Sequence, residues 1–219
     1  IVLGIIVAFI LAEIIAGYWK TDRKFGDWFL EAGGFFILSL LTKPGIVIVG
    51  LLLMNTFIPD YAGSLTGMSL LWATILYLLV DDILQYWYHR SAHEYQFLWK
   101  LHRTHHQAEE MGFLVAYRNA WMYYVTMPNL WWGGILTFLG GAKAVAIGLI
   151  LKQVIVIGAH STVPWDKYLY KFKWFSPIMT VLERIIVTPA FHYSHHGKSM
   201  KDGISDPNGN FGNMFSIWD

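Results

Sequence analysis

Long apolar runs alternate with short polar segments through the first two thirds of the chain, which is the pattern of membrane helices joined by loops. Ile1 to Gly17 is nearly all apolar, with Glu13 its one charge, and Tyr18-Trp19-Lys20 closes it as an interfacial aromatic and basic anchor. It carries no basic lead and no small-x-small cleavage site, so it reads as a membrane helix and not as a signal peptide. Phe25 to Glu31 reads as a short stretch lying along the membrane surface. Gly33 to Ile58 is apolar again but is interrupted by Thr42-Lys43-Pro44-Gly45, where proline removes a helical N–H. The interruption predicts either one kinked span or a re-entrant hairpin. After a turn at Pro59 to Gly63, the run from Ser64 to about His93 predicts one long helix, lipid-buried early and projecting from the bilayer later. His102 to Arg118 is polar and reads as lying outside the hydrocarbon. Pro128 to Gly158 is apolar with a break at Gly140-Gly141-Ala142-Lys143, predicting a hairpin of two helices of about twelve to sixteen residues, each short for a full span. From His160 onward the chain is soluble in character.

Composition supports the membrane reading. Of 219 residues, 55% are hydrophobic and only 14% charged, with a mean hydropathy of +0.42. Soluble domains carry about a quarter charged residues. A net charge of +1 without a dense basic stripe gives no case for nucleic acid. The absence of cysteine excludes disulfides, iron–sulfur clusters and thiolate zinc sites. Any metal must be held by imidazole and oxygen. Lys20, Arg23 and Lys24 share a side with Arg90, Lys100, Arg103 and Arg118 if Gly33 to Ile58 crosses once and Ser64 to Tyr88 crosses back. The opposite side keeps little beyond Lys143, so the positive-inside rule makes the histidine side cytoplasmic. No linker or repeat divides the chain. It reads as one domain, with N-terminal membrane helices over 1–63 and a histidine-rich region over 64–219.

The chemistry lies in the histidines. Five of the nine fall between Asp82 and His106, as His89-x3-His93 and His102-x2-His105-His106. The second spacing returns as His192-x2-His195-His196, with His160 between. On a helix, residues three or four apart share a face, so each cluster presents its imidazoles together. Neutral imidazole is the commonest metal ligand. Three clusters and His160 supply nitrogens for two ions with four or five ligands each, more than one ion could use. A lone histidine such as His160 is more often a satisfied interior polar group, but exposed histidines have no reason to repeat the same spacing twice. Glu109, Glu110, Asp206 and Asp219 read most simply as solvated carboxylates. Two divalent ions in an all-imidazole shell leave about four uncompensated charges. A carboxylate accepting the outer imidazole N–H would relieve them, and Asp82, on the His89 stripe, is the best candidate. Arg90 and Arg103 read as facing water or lipid headgroups.

The run Asp82-x3-Tyr86-Trp87-x-His89-Arg90-x2-His93-Glu94, then Leu98-Trp99-x2-His102-x2-His105-His106, and later His192-x2-His195-His196-Gly197, resembles the sterol desaturase and fatty acid hydroxylase superfamily. The tail from Asp206 through Asn210-Phe211-Gly212 to Ile217-Trp218-Asp219 is similar to that family's closing segment. The resemblance covers roughly residues 65–219. The placing of His160 and of Thr188-Pro189 is most similar to the alkylglycerol monooxygenase branch. It implies an all-α integral membrane protein of about four membrane helices, with a cytoplasmic helical cap holding a histidine-rich di-metal site. It further implies a non-haem di-iron enzyme that uses O2 and electrons from an external donor protein to hydroxylate or desaturate C–H bonds of an apolar lipid. Carried over position by position, the metal ligands are His89, His93, His102, His105, His106, His160, His192, His195 and His196, with Asp82 and Arg118 in supporting places. Zinc is a candidate substitute for iron, since imidazole accepts both. Where the family usually has an asparagine after the second cluster, and a histidine or glutamine after the arginine matched by Arg118, this chain has Gly112 and Asn119. The substrate of the nearest branch is therefore not carried over.

Two rivals belong to other classes. A membrane metal transporter would string ionisable residues along its helices as a path, and here Glu13 and Lys43 are the charges inside apolar runs. A non-catalytic subunit would keep the metal site for structure while docking to a larger membrane complex. No flavin, nicotinamide or haem motif is present, so the enzyme alone requires an external electron supply.

Overall fold

A computed structural model describes residues 2–17, 24–108, 110–197 and 200–219. The elements among them are α1 (Val2–Ile15), α2 (Phe25–Phe57), α3 (Leu70–Glu94), α4 (Gln96–His106), α5 (Trp121–Val125), α6 (Pro128–Leu136), α7 (Ala142–His160), α8 (Trp165–Tyr170), α9 (Ser176–Leu182) and α10 (Pro189–His195), with one isolated antiparallel bridge, Ile186 to Phe215. The protein is all-helical. Three stretches are long and apolar enough to cross a membrane, Phe25–Phe57, Leu70–Glu94 and Pro128–His160. About four were expected, and three are found among the described residues. The first apolar run forms α1, an apolar helix of 14 residues among the described ones. The proposed anchor Tyr18-Trp19-Lys20, together with Arg23 and Glu109, lies outside the described residues.

Proline does not break α2. A π-helical turn over Ile37–Thr42 precedes it, in which the Lys43 N–H reaches back to Leu38 O. The ladder is thus already offset by one residue where Pro44 has no N–H to give. Phe25 to Glu31 is not a separate surface helix either. It is the first part of α2, continuing beyond the apolar stretch to meet the histidine-bearing end of the molecule.

The long helix α3 begins at Leu70, later than Ser64, capped by the Ser69 hydroxyl, which accepts the Trp72 N–H. The residues before it are held elsewhere: Gly63 and Leu65 donate their backbone N–H groups to Phe138 O and Leu139 O. Those carbonyls belong to the break between α6 and α7, where Gly140 takes φ 102°. Only glycine adopts that geometry without strain. The chain folds back there. A Cβ added to Gly133 of α6 would stand 3.8 Å from the Val145 side chain of α7 and 3.9 Å from the Tyr77 ring, and one added to Gly148 of α7 would collide with that same ring. On one straight helix residues 133 and 145 would stand about 18 Å apart. The expected hairpin is therefore present, with its second arm running 19 residues to His160.

The segment after α4 is buried rather than solvated: Phe113, Val115 and Tyr117 are at most 3% exposed. They pack beneath α2, where a Cβ on Gly34 would collide with the Tyr117 carbonyl. Glu13 of α1 is likewise buried and accepts from Ser161 Oγ at 2.9 Å and the Thr162 N–H at 3.0 Å. That contact fixes the chain just past His160.

Candidate metal centre

All nine histidines meet at one end of the helices. His89 and His93 come from the last turns of α3, and His102, His105 and His106 from the end of α4. His160 ends α7, while α10 and its cap supply His192, His195 and His196. They sort into two groups whose ring nitrogens lie within 4.8 Å of one another: His89, His93, His102, His106 and His195, and then His105, His160, His192 and His196. Each His-x2-His-His motif is split. The pair four apart (102 with 106, 192 with 196) enters one group and the residue between (105, 195) enters the other. Neighbouring helical positions are about 100° apart around the axis, so one motif faces two centres. The groups touch through His106–His196 and His102–His105, with ring centroids 4.5 and 5.1 Å apart.

Hydrogen bonds set the tautomers. His89 Nδ1–H donates to Phe211 O at 2.9 Å, and His195 Nδ1–H to Gly209 O at 2.8 Å. His105 Nδ1–H reaches Val115 O at 2.9 Å, and His160 Nδ1–H reaches Val156 O at 2.8 Å. A carbonyl only accepts, so these neutral rings carry their proton on Nδ1 and turn a lone pair inward at Nε2. Yet His89 Nε2 and His195 Nε2 stand 3.1 Å apart. Neither has a proton to share, and two facing lone pairs at that distance suit a cation between or beside them. The buried Nε2 of His93 has no hydrogen-bond partner among the described residues either. The donor set and its orientation fit metal ions.

Burial keeps the rings neutral. His102, His105, His106, His192, His195 and His196 all have pKa values pushed far below the ordinary imidazole range, first by loss of water and then by neighbouring imidazoles. Neutral imidazole is the form that ligates metal.

The supporting residues differ from expectation. Asp82 is fully buried, but its carboxylate reaches no imidazole. It accepts the Met214 and Phe215 N–H groups at 3.0 and 2.9 Å and the Trp218 indole N–H at 2.9 Å. Asp219 accepts the Phe211 and Gly212 N–H groups at 2.9 and 2.8 Å. Together the two aspartates clamp the tail whose Phe211 O orients His89. Between Gly209 and Phe211, Asn210 takes φ 56°, a left-handed turn that asparagine tolerates. Arg118 also stands one step away. Its Nε donates to Thr104 O at 3.1 Å, and it pairs with Asp27 and Glu31 of α2, locking α2 to the helix that carries His102 to His106. Asn119 is the residue the sequence left unassigned: its Oδ1 accepts from His102 Nδ1 at 2.9 Å. It stands where the resemblance expects histidine or glutamine, and a short amide suffices there. The carbonyl acceptors had no side-chain signal to find.

Two openings reach the centre. One cavity runs between the helices and is lined near its top by His89, His102, His105, His160 and His192. A second pocket opens against His93, Trp99, His106, His196 and Gly197.

The model of the family described as Fatty acid hydroxylase matches residues 74–219, two thirds of the chain and every histidine. The chain belongs to the fatty acid hydroxylase family. Its curated relatives include alkylglycerol monooxygenase from Danio rerio, 25% identical over 210 residues that cover 88% of this chain and 41% of that protein. The Homo sapiens alkylglycerol monooxygenase is 26% identical over 148 residues, covering 68% and 29%. A very-long-chain aldehyde decarbonylase from Oryza sativa subsp. japonica is 30% identical over 131 residues, covering 57% and 39%. The chain thus spans less than half the length of these relatives. No solved structure matches it. Membership accounts for the elements from α3 to the tail, which carry the whole histidine centre, whereas α1 and α2 lie outside the matched residues.

Proposed function

We propose that this fatty acid hydroxylase family member is a membrane di-iron oxidoreductase that uses O2 to hydroxylate or desaturate C–H bonds of a lipid. The observation that carries the reading is the pair of facing, proton-free Nε2 atoms of His89 and His195 inside two imidazole groups. In this reading His89, His93, His102, His106 and His195 hold one iron, and His105, His160, His192 and His196 the other. Bound iron would supply reduction of O2 and removal of hydrogen from an unactivated C–H bond, with zinc able to occupy the same shell without redox chemistry.

The rest is the work of this chain's own residues. The carbonyls of Phe211, Gly209, Val115 and Val156 hold the imidazoles in one tautomer and orientation. Asp82, Asp219 and Arg118 keep those carbonyls and their elements in place. The cavity between the helices admits an apolar substrate from the bilayer and excludes water from the reacting bond. The second pocket, at His93 and His196, serves O2 and the electrons of a separate donor protein. By the positive-inside argument that side is cytoplasmic. The relatives named alkylglycerol monooxygenase and aldehyde decarbonylase support a lipid as the substrate class.

The test is single-turnover oxidation in nanodiscs. Iron-loaded protein, chemically reduced and exposed to 18O2 with a panel of fatty acyl, alkylglycerol, sterol and isoprenoid lipids, is expected to give an 18O-labelled alcohol or an alkene. Full iron loading without O2 consumption on any lipid would favour a non-catalytic metal-binding subunit instead.

A further inference from the structure

The cavity that begins at the histidines ends on charge. Eight residues before His89 on α3 lies Asp81, and eight before His160 on α7 lies Lys152, and both line the same cavity. Eight helical residues span about 12 Å, so two helices independently put this polar floor the same distance from the metal centre. Asp81 and Lys152 form an ion pair, and Lys152 also donates to Gln85 Oε1 at 2.5 Å. Asn129 Nδ2 donates to Asp81 Oδ1 and to Gln85 Oε1, both at 3.2 Å. Those contacts would serve as glue between three helices.

Lys43 does not fit that account. It lines the same floor from α2, near Asp81 and Lys152, and makes no hydrogen bond or ion pair among the described residues. Asn129 Oδ1, buried, also lacks a hydrogen-bond partner among the described residues. With Lys43 and Lys152 against Asp81, the acidic and basic side chains lining the cavity leave one positive charge unbalanced. Ionisable groups at membrane depth are costly, and an uncompensated one marks a binding function. A methyl-terminated tail would gain nothing against this floor.

We propose that Lys43 and Asn129 form an end-group subsite for an amphiphile that enters polar end first, its carboxylate or phosphate held by the Lys43 ammonium. The inference rests on the oxygenase reading for its consequence: the C–H bond presented to the metals lies about 12 Å from the anionic group, well down the chain and not beside it.

The test measures binding without turnover. Zinc-loaded protein in nanodiscs is titrated with radiolabelled dodecanoate, dodecyl phosphate and methyl dodecanoate. At least one anion is expected to bind about tenfold more tightly than the ester, in line with a charge-assisted hydrogen bond. Lys43→Met should abolish that preference while leaving ester affinity and zinc content unchanged, and Lys43→Arg should restore most of it. Equal binding of acid, phosphate and ester, a preference that survives Lys43→Met, or no binding of any would overturn the subsite. Zinc content below two per chain would instead count against the di-metal reading, which separates the two failures.

Discussion

At the scale of single residues, the site depends on groups that touch no ligand position. Asp82 holds three donors of the tail in a buried setting. Asp82→Ala would leave them unpaired, at a cost of about 3 kcal/mol, and would free the Phe211 carbonyl that orients His89. The expected outcome is a lowered unfolding temperature together with weakened metal in the group containing His89. Unchanged thermal melting would mean that the tail is held by other contacts. Asn119 can be probed separately. Asn119→Leu removes the acceptor of His102 Nδ1–H, and loss of such an outer acceptor typically weakens metal affinity about 10- to 100-fold. A chelator competition titration reads this directly. The sequence disclosed the nine histidines because their spacing is carried by side chains. It could not disclose the carbonyls of Phe211, Gly209, Val115 and Val156, since every residue has one. Asp82 was legible as important but not for its partner: sharing a helical stripe with His89 says nothing of the tail that folds over it from 132 residues away.

At the scale of elements, helix periodicity was a good guide to existence and a poor one to boundaries. The hairpin at Gly140 was visible because glycine marks a reversal. The continuity of α2 through Pro44 was not, because it depends on a π-turn over Ile37–Thr42 that leaves no sequence signature. The start of α3 was displaced for a tertiary reason, the pairing of Gly63 and Leu65 with the α6–α7 turn. One contact between elements offers a test. Gly34 of α2 sits directly against the Tyr117 carbonyl, and an added Cβ would force the two apart. Gly34→Ala should cost about 1–3 kcal/mol through overpacking and shift the neighbouring Val115 carbonyl from His105. Lower thermal stability with selective loosening of the group containing His105 is the expected result. A neutral effect on both would mean that α2 is free to move away.

At the scale of the whole molecule, nine imidazoles packed at one end make the fold sensitive to acid. Six of them outside the membrane segments have pKa values lowered below 6.5 by burial. The unfolded chain therefore binds more protons than the folded one below the ordinary imidazole value. Stability is full above that value and falls as pH drops through it. Metal retention follows the same sign, since protons compete for the same nitrogens. Thermal unfolding of metal-free protein across pH 5 to 8 should show a falling midpoint toward the acid end, and a flat profile would contradict the buried neutral cluster. The account's central claim is that the histidines form two separate centres, each fed by one half of a split motif. Elemental analysis after anaerobic iron loading tests this most directly, on wild type, on His102→Ala/His106→Ala and on His192→Ala/His196→Ala. About two irons in the wild type and about one in each double variant are expected from the two groups. One iron or none in the wild type, or loss of both irons in both variants, would contradict it.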